Sequence, residues 1–203
     1  MDHYFSKKPE TESNPLFWSC KLRNFTFQFK TDHSVFSKKY IDFGSRLLIE
    51  TFTEPEVPGP VLDAGCGYGP IGLAIARAFP NRKIHMFDIN ERAVRLAKEN
   101  ALHNEIHNVE VFESDGFSNV TEKEYAAVVT NPPVRAGKKV VHAIFENSFH
   151  HLKRGGELWV VIQKKQGAPS AKKKIGELYG NVEIVKKEKG YYILRAKKGL
   201  TLE

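Results

Sequence analysis

The stretch Val61-Leu62-Asp63-Ala64-Gly65-Cys66-Gly67-Tyr68-Gly69-Pro70 decides the fold of this chain. Val61 to Asp63 reads as a short apolar strand that runs into a glycine cluster. The glycines allow a tight turn and let a ligand approach bare backbone. Pro70 suits the first turn of a helix, and Ile71 to Phe79 has helical apolar spacing. Strand, glycine turn and helix start together form a cradle for a nucleotide-like ligand. A dinucleotide fingerprint, GxGxxG, would place its third glycine at position 70, where this chain has Pro70. Here Gly69 comes one residue early, and an acidic residue, Asp63, stands two before the first glycine.

Downstream the pattern is regular. Lys83–Asp88 reads as a second strand, and Asn90 is placed to cap a helix over Glu91–Leu102. Val109–Phe112 and Ala126–Thr130 are a third and a fourth strand. A helix over Val140–Leu152 leads through Arg154-Gly155-Gly156 into a strand at Glu157–Ile162. A helix at Ser170–Tyr179 precedes two strands, Val182–Val185 and Tyr191–Ala196, joined by a short turn as an antiparallel hairpin. Strands alternating with helices imply a mostly parallel sheet covered on both faces. The expected fold is α/β, a Rossmann-like sheet of seven strands with the last antiparallel. Upstream, Phe25–Phe29 alternates like a half-buried strand, and Asp42–Phe52 has helical spacing. Residues 1–56 therefore read as an N-terminal arm, strand and helix packed on a main domain of residues 57–201. Residues 1–24 are assigned to the arm, Thr53–Pro60 to a proline-rich connector, and Leu202-Glu203 to a vector remnant.

In such sheets ligands gather at the carboxyl ends of the strands, near the switch point. The second strand ends in Asp88, 25 residues after Asp63. A carboxylate there can accept both hydroxyls of a ribose, and Ile89 can pack on an adenine face. After the third strand, Asp115-Gly116 forms a turn whose carboxylate can accept the adenine amino group. The fourth strand runs into Asn131-Pro132-Pro133, 66 residues after Gly65. An exocyclic amino group on a purine has its lone pair delocalised into the ring and is a poor nucleophile. Acceptors that hold its N–H bonds favour a tetrahedral nitrogen. Asn131 Oδ1 is one such acceptor and the Pro132 carbonyl a second. Pro132 and Pro133 fix the direction of that carbonyl and bring no donor to compete for it. The expected chemistry is preorganised polar stabilisation of an amine nucleophile.

Lys and Arg number 31 against 24 Asp and Glu, a formal net charge of +7. That suits a nucleic-acid partner without requiring one. Arg135, Lys138 and Lys139 flank the Asn-Pro-Pro corner and are the candidates for phosphate contact. Lys164-Lys165, Lys172 to Lys174, Lys186-Lys187 and Lys197-Lys198 read as solvated faces, and so does His150-His151. The two cysteines, Cys20 and Cys66, give no disulfide framework and suit a reducing compartment. No metal-ligand spacing occurs. The first ten residues lack the apolar core of a signal peptide and no apolar run approaches a membrane span. A cytoplasmic location without membrane contact is expected.

The pattern Asp63-x-Gly65-x-Gly67-x-Gly69 resembles the first motif of class I S-adenosylmethionine-dependent methyltransferases. Asn131-Pro132-Pro133-Val134 resembles the Asn-Pro-Pro motif of those members that methylate a conjugated nitrogen. With Asp88 between them, residues 25–198 resemble the small-domain methyltransferases related to bacterial ribosomal RNA small subunit methyltransferase C. Thr31 to Ser37 and Asp42-Phe43-Gly44-Ser45 are similar to that family's T-x-x-G-V-F-S segment and the L-D-x-G-S/T segment after it. The resemblance implies S-adenosyl-L-methionine as cofactor and S-adenosyl-L-homocysteine as product, with Phe36 and Ser37 in the pocket. It implies methylation of guanine N2 in 16S ribosomal RNA, free or within the small ribosomal subunit. Val134 stands where an aromatic often stacks on the flipped base. Adenine N6 and a protein glutamine amide present the same conjugated NH2 and stay open, as does a cofactor-binding module without catalysis. Pro70 counts against an NAD-dependent dehydrogenase. Monomer and homodimer are both open.

Overall fold

The computed structural model describes residues 14–32 and 40–199. Phe36, Ser37 and Leu202-Glu203 lie outside the described residues. The described chain opens with the hairpin β1 (Leu16–Leu22) and β2 (Phe25–Thr31), followed by α1 (Phe43–Thr51). Then come β3 (Val61–Ala64), α2 (Pro70–Ala78), β4 (Ile84–Asp88), α3 (Glu91–His103), β5 (Val109–Glu113) and β6 (Tyr125–Thr130). The last elements are α4 (Lys138–His151), β7 (Leu152–Gln163), α5 (Ala168–Tyr179), β8 (Glu183–Glu188) and β9 (Tyr191–Lys197). Seven strands form the main sheet in the order β5-β4-β3-β6-β7-β9-β8. Strands β3 to β7 pair in parallel, while β9 is antiparallel to both its neighbours. This is the sheet expected from the sequence. The chain winds from β3 out to β5, then returns to β6 on the other side of β3. The switch point therefore lies between β3 and β6.

Both central strands are buried along their whole length, which is why they read as continuous apolar runs. One face of the sheet carries α1, α2, α3 and the hairpin, with Phe29, Leu48, Leu73, Ala97 and Trp159 in one apolar cluster. The other face carries α4 and α5, with Phe145, Leu158, Val160 and Ile175 in a second. Asp42 caps α1 by accepting from the Ser45 amide at 2.9 Å. Asn90 caps α3 as its position predicts, accepting from Arg92 and Ala93.

The hairpin docks in an unusual way. Asn100 on α3 and Asn104, the residue that caps its carboxyl end, pair with β2 as a neighbouring strand would. Asn104 accepts from the Gln28 amide at 2.9 Å and donates to the Gln28 carbonyl at 2.7 Å. Asn100 accepts from the Lys30 amide at 2.7 Å and donates to the Lys30 carbonyl at 3.0 Å. Two side-chain amides thus satisfy backbone groups that an edge strand would leave open. Asn100 also donates to the Tyr68 carbonyl at 2.9 Å, which ties the hairpin to the glycine loop.

Three expectations change. Residues 16–22, assigned to the arm, are a strand. Alternation there is hidden because Phe17 is apolar yet 70% exposed, and the turn uses Arg23 and Asn24 at positive φ with no glycine to mark it. Strand β7 starts at Leu152, so Arg154-Gly155-Gly156 lies inside a strand. Its pairing with β6 shifts register between Tyr125 and Ala127. His151 is buried, bonds to the Asn147 carbonyl and packs on Phe117, so it is no solvated edge. The connector is clasped by Arg82, which donates to the carbonyls of Pro55, Val57 and Gly59.

Candidate active site

The glycine loop leaves the carboxyl end of β3 and is strapped to β4. The amides of Gly65 and Cys66 both donate to the Phe87 carbonyl, at 3.0 and 2.8 Å. Gly65, Gly67 and Gly69 all have positive φ, 79°, 57° and 100°, a conformation other residues rarely hold. A β-carbon added at Gly65 would meet no atom within 4 Å. It would project into open space, so bare backbone borders that space.

Asp63 is fully buried at the end of β3. Its Oδ2 accepts from the Gly72 amide at 2.8 Å. Its Oδ1 is buried with no hydrogen-bond partner among the described residues. Burial pushes the carboxyl up to about 7; the Gly72 amide opposes this and the nearby Asp88 charge adds to it. A buried carboxylate oxygen without a donor fits a ligand ammonium, directly or through water. The same bond weighs against a dinucleotide. Gly72 is one of the free amides at the start of α2, Pro70 supplies none, and a pyrophosphate would need those donors.

Asp88, 3% exposed, ends β4. Its Oδ2 accepts from the Gly67 amide and its Oδ1 from the Asn90 amide, both at 2.9 Å. Burial raises its pKa and these amides counter the shift. The Ile89 amide is a further donor to it, and the carboxylate still has lone-pair capacity for a ribose hydroxyl while it shapes the loop. Ile89 beside it is half-buried. Asp115 and Gly116 lie exposed in the turn after β5, with Gly116 at φ 54°. A glycine loop, an orphaned buried oxygen and a second carboxylate at the next strand end are a donor and acceptor set that suits S-adenosylmethionine.

Across the switch point stands the Asn-Pro-Pro corner. Thr130, the last residue of β6, donates its hydroxyl to the Ala64 carbonyl at 2.8 Å, holding the corner against the glycine loop. Asn131 donates its amide nitrogen to Ser45 Oγ at 2.9 Å and to Asp42 Oδ1 at 3.4 Å. A carboxylate can only accept, so the nitrogen must face it and Oδ1 must face away. Pro133 sits at φ −74°, ψ 76°, the centre of an inverse γ-turn. In that turn the Val134 amide donates to the Pro132 carbonyl at 2.8 Å. The prolines bring no donor, but the Val134 amide does: one lone pair of that carbonyl is taken and one is left. Val134 is half-buried and packs toward the α4 and α5 side of the core.

The rim of carboxyl ends divides by charge. On the β3-β4-β5 side it carries Asp63, Asp88 and Asp115. On the β6-β7-β9 side cations predominate: Arg135, Lys138 and Lys139, all exposed, then Lys164 and Lys165 after β7 and Lys189 in the β8–β9 turn, against the carboxylates of Asp42 and Glu188. The Lys164 amide donates to the Gly190 carbonyl at 2.8 Å, which joins those last two loops. None of these six cations has a carboxylate partner among the described residues, whereas Lys30, Lys174 and Lys197 each pair with a glutamate. The sequence reading missed Asp42, Ser45 and Thr130 as parts of this site. The L-D-x-G-S/T likeness pointed to the first two, but nothing local couples positions 86 apart. Among the described residues no cluster could hold a metal, and no helix is long and apolar enough to cross a membrane.

Sheet order, glycine loop and Asn-Pro-Pro corner together are those of the S-adenosylmethionine-dependent methyltransferases. The chain belongs to the methyltransferase small domain family, whose model matches residues 26–195. It is 61% identical over 198 residues to the uncharacterized protein YbxB of Bacillus subtilis, covering 97% of this chain and 98% of that one. It is 34% identical over 168 residues to ribosomal RNA small subunit methyltransferase C of Vibrio cholerae, covering 81% of this chain and 47% of that protein. Among solved structures it is similar to the T. thermophilus 16S rRNA N2 G1207 methyltransferase in complex with AdoMet and guanosine. There the TM-score is 0.81 at 25% identity, over 94% of this chain and 52% of that one. The chain thus spans about half the length of the named methyltransferases it matches.

Proposed function

We propose that this protein methylates the exocyclic N2 of a guanine in 16S ribosomal RNA, with S-adenosylmethionine as methyl donor. The observation that carries the reading is the fixed amide of Asn131. Its two N–H bonds are spent on Asp42 and Ser45, so it offers the acceptor nitrogen only Oδ1. When bound, the cofactor supplies an electrophilic sulfonium methyl group. Asp63 would hold its ammonium, Asp88 its ribose hydroxyls, and Ile89, Asp115 and Gly116 its adenine, over the backbone of Gly65, Gly67 and Gly69. Asn131 Oδ1 and the open lone pair of Pro132 would hold the two N–H bonds of the guanine amine. Holding both favours a tetrahedral nitrogen whose lone pair can point at the methyl group. The amine becomes strongly acidic as it is methylated, so no base need act first.

The charge division of the rim supports a polyanion on the β6-β7-β9 side. Arg135, Lys138 and Lys139 would contact phosphates next to the reacting base, which Val134 would border. Lys138 and Lys139 also occupy the first turn of α4, where a cation opposes the helix dipole and an anion would relieve it. The T. thermophilus enzyme, 25% identical, is named for N2 of G1207, and that favours guanine over other acceptors. The test is to incubate the protein and labelled cofactor with free 16S ribosomal RNA, assembled small subunits and total protein. The modified product is then identified by mass. N2-methylguanosine is expected; label in N6-methyladenosine or a glutamine amide would replace this reading.

A further inference from the structure

We infer that Asp42 and Ser45, at the start of α1, are positioning residues that lock the Asn131 amide so that its oxygen alone faces the acceptor. This rests on the functional reading above for what the oxygen does, but not for how it is held. An asparagine amide on a strand-to-loop corner can rotate by half a turn and present either its donor or its acceptor face. Presenting NH2 to a substrate amine would place donor against donor. Here the choice is made by the protein. Ser45, 4% exposed, takes one N–H at 2.9 Å, and Asp42 takes the other at 3.4 Å.

The two partners are themselves fixed. Asp42 caps α1 by accepting from the Ser45 amide, so one carboxylate oxygen holds both the helix start and Asn131. The first turn of α1 is pressed against β9: a β-carbon at Gly44 would lie 2.8 Å from Tyr191 Cε1. Phe43 packs on the same ring, with centroids 5.6 Å apart. Glycine at 44 is what lets the helix start come close enough to reach the corner. Helix α1 belongs to the N-terminal extension, so that extension completes the catalytic corner.

Helix capping and amide positioning can be separated. Ser45→Ala removes one acceptor and leaves the cap. Asp42→Ser keeps a good N-cap residue while withdrawing the carboxylate. The fall in kcat is expected to be about ten-fold for Ser45→Ala and a few-fold for Asp42→Ser, with KM for RNA and cofactor affinity unchanged. Ser45→Thr should recover the wild-type rate. A second readout does not depend on activity: the side-chain NH2 signals of Asn131 in 15N-labelled protein, assigned by their loss in Asn131→Asp. Slow exchange and restricted rotation are expected in the wild type, and faster exchange in Ser45→Ala and Asp42→Ser. Identical signals in all three would overturn the inference, as would a loss seen only in stability or KM. If the wild type methylates no RNA, the guanine reading fails while the NH2 signals still decide how the amide is held.

Discussion

The hydroxyl of Thr130 donates to the carbonyl of Ala64 at 2.8 Å, so the last residue of β6 is fastened to the last residue of β3. The glycine loop starts one residue after Ala64 and the Asn-Pro-Pro corner one residue after Thr130. In the proposed function this bond would set how far apart methyl donor and methyl acceptor are held. Thr130→Val keeps the shape and removes the donor, leaving a buried carbonyl unpaired. Stability by chemical denaturation should fall by about 1–3 kcal/mol, and turnover should fall more than cofactor affinity. Unchanged turnover would show that the corner keeps its place without this bond.

Asp63 gives a pH signature. Its carboxyl is pushed up to about 7 in the folded protein, against an ordinary value of 3.8. Between those values the unfolded chain loses a proton that the folded chain keeps, so the stability of the ligand-free protein falls as pH rises. Asp88 is shifted the same way and adds to the fall. Asp63→Asn should flatten part of the decline between about pH 4 and pH 7 in thermal melts. Wild-type cofactor affinity should rise through about pH 7 as the carboxylate ionises. In Asp63→Asn it should be weaker, by roughly ten-fold or more above that pH, and lose this dependence. Parallel curves for the two proteins would refute the ammonium role.

The Asn104 amide holds β2 to α3 through both of its ends. Asn104→Ala strips partners from the Gln28 amide and carbonyl together. A loss of about 2–3 kcal/mol is expected, with hydrogen exchange accelerated at Gln28 and little altered in β6. Protection unchanged at Gln28 would mean that apolar packing alone docks the hairpin.

Phosphate contact is read from salt dependence. The double variant Lys138→Ala with Lys139→Ala should lower the slope of log affinity against log salt for RNA by roughly one to two. Lys172→Ala with Lys173→Ala, on exposed positions of α5, should leave it alone. Equal slopes for the two double variants would remove Lys138 and Lys139 from the RNA surface.

Much of this was legible in the sequence. The main sheet was, because its central strands are short apolar runs bounded by turn signals and α1, α2, α3 and α5 each start on a capping side chain or a proline. The position of Asp63, Asp88 and Asn131 at the strand ends was too, because each stands where an apolar run meets a turn signal. The hairpin strand Leu16–Leu22 was not, since an outward Phe17 breaks the alternation that would announce it. Nor were the partners of Asn131, which come from a helix packed over the sheet and far away in sequence. The Val134 amide bond to Pro132 was hidden for another reason: two prolines show that a corner is stiff, not which turn it makes.

The central claim is that Asn131 holds the amine that receives the methyl group. It is tested by single-turnover methyl transfer to small-subunit RNA at saturating cofactor, comparing wild type with Asn131→Ala. The rate should drop by roughly 100-fold or more, with cofactor affinity by calorimetry nearly unchanged. Transfer by Asn131→Ala at the wild-type rate would contradict it.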